Sequence, residues 1–302
     1  MIDYSQAPTS FIKTTGGINV HSFLLDDEKN IDWGTVDAFG KEWNKFNSFQ
    51  RDEITTIGDD YFDIVTQAMI NTGSLVLDVG CGSGRWARYL SRQVKFIEAI
   101  DPSDAALIAA DKLADLRNVR VTRASVDNIP FPDESFDFIY SLGVLHHIPD
   151  TLSAIAKCRQ KLKKEGWILL YLYYSLDNRG VLYKVIFAVS NWGRQVISKL
   201  PSRLKLFTCD LIALFIYWPL SFISRLVHSI PGGKKLADKI PLSYYRKTSF
   251  QVMRNDSLDR FGTPLEKRFS KNEIEGMLLE SGFTNICFSN NAPYWHVTAR
   301  RP

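Results

Sequence analysis

Between Val76 and Gly84 the chain reads VLDVGCGSG, an apolar run that ends in an acid and then sets a glycine at every second position. Val76 and Leu77 have the character of a buried parallel strand, Asp78 stands at its carboxyl edge, and Gly80, Gly82 and Gly84 make a turn without side chains. Trp86, Tyr89 and Leu90 follow at helical spacing, so the segment leads from strand to helix and should turn backbone N–H groups toward an open crevice. Open parallel sheets bind ligands beyond the carboxyl ends of their strands, which makes this turn a candidate nucleotide-type site. Asp101 ends the next apolar run, about twenty residues on, the separation at which a carboxylate reaches both hydroxyls of a ribose. His147, and after it His146, are candidate proton acceptors just past a later strand, with Asp259 and Tyr244 as weaker alternatives.

The spacing of the glycines is GxGxG, whereas a dinucleotide fingerprint reads GxGxxG and sets a pyrophosphate on the helix N-terminus. An acid two positions before the first glycine and Arg85 directly after the last give D-x-G-x-G-x-G followed by a base. This arrangement resembles the first motif of the class I S-adenosylmethionine-dependent methyltransferases. The likeness continues through FPDESFDFIYSLGVLHHIPD, with its Phe-Asp pair, its Leu-His-His and its Pro149-Asp150 helix start. Residues 74–175 follow the small-molecule members of that family in order and spacing. The resemblance implies S-adenosyl-L-methionine as cofactor, held by Asp78, Gly80, Cys81, Gly82, Gly84, Arg85, Asp101, Pro102, Ser125, Val126, Asp127, Ser141 and Leu142. Related chains often carry Asp-Ala-Glu before a Leu-Pro-Phe; here Ser125, Val126 and Asp127 precede Ile129-Pro130-Phe131, so a serine stands where an acid would meet the adenine amino group.

These residues need a scaffold, and the chain supplies its pieces in alternation. Lys95 to Ile100, Val119 to Ala124, Phe136 to Tyr140 and Trp167 to Tyr173 read as buried strands, with a helix from Ser103 to about Leu116 and another over 150–162. Ser270 with Glu273 forms a capping box, Gly282 stops that helix, and Thr284 to Phe288 and Tyr294 to Ala299 read as a closing hairpin. The expected fold is a doubly wound, mostly parallel seven-stranded sheet of Rossmann-like methyltransferase type with a helical lid insertion. Its expected parts are an N-terminal extension or flap over 1–58, the cofactor core over 59–175, the lid over 176–248 and the C-terminal part of the core over 249–302.

The first fifty-odd residues lack clean periodicity but hold Trp33, Phe39, Trp43, Phe46 and Phe49, suited either to packing an extension or to closing a water-excluding flap. Phe62, Val65 and Met69 read as a helix over 59–71. Within the insertion, Leu211 to Ile223 reads LIALFIYWPLSFI. Thirteen apolar residues fall short of the roughly twenty a bilayer requires, and Pro219 should kink a helix, so the run is expected not to span. It suits either the core of a lid or an interfacial helix. The polar set from Tyr244 to Arg268 reads as loop.

At 302 residues and a net charge of +4, with basic residues spread rather than gathered in one tract, no nucleic-acid partner is expected. Cys81, Cys158, Cys209 and Cys287 form no CxxC pair, which argues against a zinc site or disulfide framework, and no metal is expected. The N-terminus shows no basic region followed by an apolar run, so a cytoplasmic location is expected, with contact through the lid at the inner face of a membrane as the variant. The favoured activity is O-methylation of a small molecule, a sugar or a lipid-linked glycan. The alternatives are N- or C-methylation of a quinone-like lipid, a non-catalytic cofactor-binding module, and a nicotinamide oxidoreductase.

Overall fold

The computed structural model describes residues 1–45, 51–175, 180–291 and 295–302, so Phe46, Phe49 and Tyr294 lie outside the described residues. Among the described residues nine strands form one sheet: β1 (Ser10–Lys13), β2 (Asn19–Ser22), β3 (Leu75–Val79), β4 (Phe96–Ile100), β5 (Val119–Arg123), β6 (Phe136–Leu142), β7 (Leu162–Tyr171), β8 (Thr284–Phe288) and β9 (His296–Arg300). Their order is β1-β2-β5-β4-β3-β6-β7-β9-β8. β3 pairs in parallel with both β4 and β6, so the chain builds outward through β4 and β5, then returns to the centre and builds the other way. That reversal is the switch point at which open α/β sheets form a crevice. Among the described residues, β1 and β9 run opposite to the other strands, β1 against β2 and β9 between β7 and β8.

The seven expected strands are present, and the hairpin β1–β2 extends the sheet beyond them. Its four-residue strands are largely exposed outside Val20 and Ser22, so they carry almost none of the alternation that marks a strand in sequence. In the middle of the sheet, side chains alternate between two cores. Val76 of β3 and Phe138 and Tyr140 of β6 enter the core with Trp86 and Leu90, while Leu77, Val79 and Ile139 enter the opposite one with Leu278 and Phe283. Burial on both faces is why these strands read as unbroken apolar runs.

The helices of the unit are α1 (Trp33–Lys45), α2 (Arg51–Tyr61), α3 (Arg85–Leu90), α4 (Ala105–Lys112) and α5 (Thr151–Lys161), and, after the insertion, a C-terminal helix over Lys271–Glu280. Asp150 caps α5 by accepting the Ser153 N–H, and the Ser270–Glu273 capping box is formed. Two helix expectations need correction. The one over 59–71 ends at Tyr61, and Phe62, Thr66 and Asn71 instead open successive turns closed by Val65, Met69 and Ser74. Phe62, Val65 and Met69 still reach one core, as their helical spacing of three and four suggests. The helix expected to reach Leu116 closes at Lys112, and its N-cap is Asp104; Ser103 accepts the Ala105 N–H one position earlier.

The chain divides into two compact units, Met1–Asp177 with Leu265–Pro302, and Asn178–Pro264. The second contains α6 (Val181–Ile197), α7 (Ser202–Ile212), α8 (Trp218–Ser229), α9 (Lys234–Ala237) and α10 (Phe250–Gly262), which makes the C-terminal helix at Lys271–Glu280 α11. The segment read as loop is thus largely helical, begun by Ser249, whose hydroxyl accepts the Val252 N–H, and anchored by buried Val252, Met253 and Leu258. A π turn over Ala213–Tyr217 joins α7 to α8, so the helical path runs on from Ser202 to Ser229 past Pro219. It is long and apolar enough to cross a membrane by length and composition, so the shortness of the thirteen-residue run does not by itself decide between a span and a helix that stays on one side.

The N-terminal residues are held on the first unit by a buried ion pair. Arg120 forms two 2.8 Å bonds to Glu98, Glu98 accepts the Ile2 N–H, and the guanidinium lies 4.1 Å from the Tyr4 ring centroid. Removing one partner of a buried pair strands the other charge, so Arg120→Met should lower unfolding free energy by about 3–5 kcal/mol in urea titrations.

Candidate functional site

The glycine turn takes its shape from its neighbours. Gly80 and Gly84 have φ of 81° and 80°, and a Cβ at Gly80 would stand 2.5 Å from Val144, while one at Gly84 would stand 2.6 Å from Leu113. Both positions therefore require glycine for packing as well as for backbone conformation. The N–H groups of Gly80 and Cys81 donate to Ile100 O, that of Gly82 to Asp101 Oδ2 at 2.9 Å, and that of Gly84 to Cys81 O. The expectation of a row of donors facing the crevice is corrected for these four: three tie the turn to the end of β4 and Asp101, and the fourth closes the turn on itself. A pyrophosphate cradle relies on backbone N–H groups left for the phosphate. This turn instead presents bare peptide.

Two carboxylates stand at the ends of β3 and β4. Asp78 is buried and accepts the Tyr140 hydroxyl at 2.8 Å. Burial pushes its carboxyl up to about 8, with Asp101 adding to the shift and Tyr140 and Arg85 opposing it. Asp101 is buried as well, and that raises its carboxyl although Ser103 and the Gly82 N–H stabilise the charge. Its Oδ1 accepts the Ser103 N–H and hydroxyl and its Oδ2 accepts Gly82, which leaves acceptor capacity for a diol. The Cys81 thiol is raised well above its ordinary value, first by burial and then by the two acids, so it is inert here. Arg85 lies 4.5 Å over the Trp86 ring.

The remaining sequence-identified residues occupy the same edge with unequal freedom. Ser125 Oγ accepts the N–H groups of Asp127 and Asn128, so its lone pairs cap the following turn and its proton is what it can offer a ligand. Val126 is buried in the core. Asp127 faces α5, 3.3 Å from Lys157 Nζ. Ser141 donates to Val79 O, and Leu142 beside it is buried. Pro102 is half-buried and its carbonyl accepts from Arg123.

Leu145–His147 forms a short 3-10 turn directly after β6. His147 Nδ1 lies 2.6 Å from Leu265 O, and a carbonyl can only accept, so Nδ1 carries the proton and Nε2 is the basic nitrogen of the neutral ring. His146 is fully buried, its Nδ1 facing the Tyr173 N–H at 3.4 Å and its ring stacked on Tyr173. Burial first, and then His147 and Arg268, hold His146 well below its ordinary value, which makes it a neutral packing residue. Asp259 and Tyr244 belong to the second unit, the one on α10 and the other in the turn before it. Helix α1 meets this edge twice: Phe39 packs edge-on against His147 with centroids 4.9 Å apart, and Gly40 lies close to Ser103 and Asp104.

One polar cluster gave no signal in the sequence. His296 pairs with Tyr171 across β7 and β9, Tyr171 pairs with Leu142 across β6 and β7, and so His296 reaches the carboxyl end of the sheet. Its Nε2 lies 2.6 Å from Asp63 Oδ1, and Ser289 and Asn291 donate to the other oxygen. Burial opposes the charge on Asp63, yet hydrogen bonds from Asn291, His296 and Ser289 prevail and hold the carboxyl below its usual range. Tyr61 at the end of α2 touches Trp86, Tyr171 and His296. The partners stand 233 positions apart, and no spacing rule joins them.

Comparison with known proteins now bears on this edge. The profile of the methyltransferase domain family matches residues 77–170. An uncharacterized methyltransferase of Bacillus subtilis (strain 168) is 29% identical over 140 residues, 45% of this chain and 55% of that one. A ubiquinone biosynthesis O-methyltransferase of Pasteurella multocida (strain Pm70) is 32% identical over 168 residues, 50% of this chain and 67% of that one. The chain belongs to the class I S-adenosylmethionine-dependent methyltransferases. A demethylmenaquinone methyltransferase of Staphylococcus epidermidis (strain ATCC 35984) is 31% identical over 110 residues, 35% of this chain and 46% of that protein. The methyltransferase thus spans roughly half to two thirds of the length of these relatives.

The family's cofactor carries no phosphate, which agrees with a turn whose N–H groups are already engaged. The methyltransferase's buried Asp78 has a stability signature. Because its carboxyl rises from 3.8 to about 8 on folding, the folded state binds that proton more tightly, and the stabilisation is complete below 3.8 and lost as pH rises toward 8. Thermal melts of the ligand-free protein and of Asp78→Asn across that window should diverge in favour of the variant as pH rises; parallel curves would contradict the assignment.

Proposed function

We propose that this chain transfers the methyl group of S-adenosylmethionine to an oxygen of a small molecule, a sugar or a lipid-linked glycan, with His147 as proton acceptor. The observation that carries the reading is the His147 contact with Leu265 O, which engages Nδ1 as donor and so makes Nε2 the ring nitrogen able to take a proton, on the same sheet edge as Asp101. When bound, the cofactor supplies a methyl group on a positively charged sulfur. Asp101 would hold the ribose hydroxyls, the peptide of Gly80 to Gly84 the methionine part, and Ser125, Val126 and Asp127 the adenine.

The protein's work is then positional and electrostatic. A hydroxyl acceptor is a poor nucleophile until its proton begins to leave, and a fixed Nε2 lone pair receives that proton without reorientation of the ring. Phe39 against His147 and the Tyr61–Tyr171 contact surround this edge with aromatic bodies that keep water from competing. His146 supports the arrangement from below as a neutral ring.

A second reading takes a quinone-like lipid as acceptor, favoured by relatives named for ubiquinone biosynthesis and for demethylmenaquinone. Assays offering a quinol and a glycoside side by side separate the two.

Asp101→Ala should weaken S-adenosylhomocysteine binding by roughly 10- to 100-fold in calorimetry, since two charge-assisted bonds are lost. Unchanged affinity would remove Asp101 from the ribose role. His147→Ala should lower kcat by about 10²- to 10⁴-fold with the same S-adenosylhomocysteine affinity as wild type; near-normal turnover would return the proton to another acceptor, of which His296 with Asp63 is the next to test.

A further inference from the structure

The second unit has a surface unlike that of the first. Residues 178–264 hold fourteen lysines and arginines against four aspartates and no glutamate, a formal charge of +10, and since the whole chain carries +4 the remainder carries −6. The mild overall charge therefore conceals a strongly basic part. The same unit has its apolar residues on the outside. Along α7, the π turn and α8, Phe207, Leu211, Phe215, Trp218, Phe222 and Leu226 recur every three or four residues and are each between 37% and 69% exposed. The opposite stripe, Cys209, Ala213, Tyr217, Ser221 and Ser224, is buried and mostly small or polar. A helix covered on all sides by water and protein has the reverse arrangement.

The buried stripe is committed within the unit, to α10, to Ala237 of α9 through Ser224 and to Tyr245 through Tyr217. Arg254 of α10 pairs with Asp210 at 2.7 Å, Ser257 donates to Cys209 O at 2.9 Å, and Ser221 faces Met253. Helix α6 repeats the inversion, with Trp192 and Val189 exposed and Arg194 and Ser198 buried, Arg194 donating to the carbonyls of Thr263 and Pro264. Exposed cations flank the greasy stripe along the chain: Lys199 and Arg203 precede it, and Lys234, Lys235 and Lys239 follow.

We propose that the 178–264 unit docks on the surface of an anionic lipid bilayer, with the α7–α8 rod lying in the interface plane and its exposed stripe among the acyl chains. Cations at both ends then meet the headgroups, the arrangement by which interfacial helices select anionic membranes. Crossing the bilayer is a poorer fit. The stretch free of charged residues, Leu211 to Ser224, is about 21 Å long at 1.5 Å per residue, against a hydrocarbon core of about 30 Å. Moreover, α10 lays Arg254, Asn255 and Asp256 along the other flank, a face that lipid would not accept. The proposal is independent of the methyl-transfer reading.

The test is co-sedimentation of the full chain with vesicles of phosphatidylcholine, alone or with about one-third phosphatidylglycerol. Binding should be at least about tenfold tighter to the anionic vesicles and weaken as salt rises from about 0.1 to 0.5 M. Phe215→Ser combined with Phe222→Ser should reduce binding to both kinds of vesicle, and Lys234→Glu with Lys235→Glu should erase the difference between them. S-adenosylhomocysteine affinity, measured on the same preparations, should match wild type in both variants, which separates a failure here from a failure of the cofactor site. No sedimentation with either vesicle would overturn the proposal. So would a wild-type dimer in light scattering that the serine variant dissolves without any lipid binding, since that assigns the stripe to a second copy; a chain that resists carbonate extraction from membranes would overturn it in favour of a span.

Discussion

The burial of two acids side by side, Asp78 ending β3 and Asp101 just past β4, is the constraint to which the rest of the site answers. Carboxylates removed from water in this way demand donors, and the surrounding chain is arranged to provide them: the Tyr140 hydroxyl for one, Ser103 and the Gly82 N–H for the other. The turn between them is held by the Gly82 bond to Asp101, by the Gly80 and Cys81 N–H groups on Ile100 O and by one bond of its own, Gly84 to Cys81, so its glycines serve conformation and close packing as much as ligand access. Strand order does the rest, because β4, β3 and β6 must be neighbours for Asp101, Asp78 and Tyr140 to meet.

The two histidines after β6 show how adjacent positions in one turn acquire different chemistry. Both lie in the same three-residue segment, yet one points its ring into a stack with Tyr173 and the other toward the carbonyl of a residue more than a hundred positions away. The first is neutral because nothing around it compensates a charge. The second has Nδ1 engaged as donor to that carbonyl, which makes the distal nitrogen the one able to accept a proton. Sequence spacing treats the pair as interchangeable; the backbone turn does not.

How far the sequence could be read follows from how each element is stabilised. Strands β3, β4, β6 and β7 are buried on both faces, so their composition announces them, and the acid and glycines after β3 mark the ligand edge without any fold in hand. The β1–β2 hairpin was illegible because it lies at the sheet edge with four-residue strands and depends on Phe23, Tyr4 and the Glu98–Arg120 pair for its place. The turns after Tyr61 imitate a helix in their apolar spacing, and Asp63 leaves that path for partners near the C-terminus. The Asp63–His296 contact is a product of topology alone, and only the β7–β9 pairing brings it about. The charge distribution is hidden for a simpler reason, since summing over the whole chain cancels a basic segment against an acidic one.

The π turn before Pro219 has a geometric role of its own. In an unbroken α-helix each step of four residues overshoots a full turn by about 40°, so a stripe such as Cys209, Ala213, Tyr217 and Ser221 would wind about a third of the way around the rod. The wider loop from Ala213 to Tyr217 turns back by a comparable amount across the middle step, keeping both flanks in phase through the imino acid that would otherwise have bent them apart. Loss of a single residue there would rotate everything downstream by about 100° and carry the tryptophan and phenylalanine of α8 round toward α10.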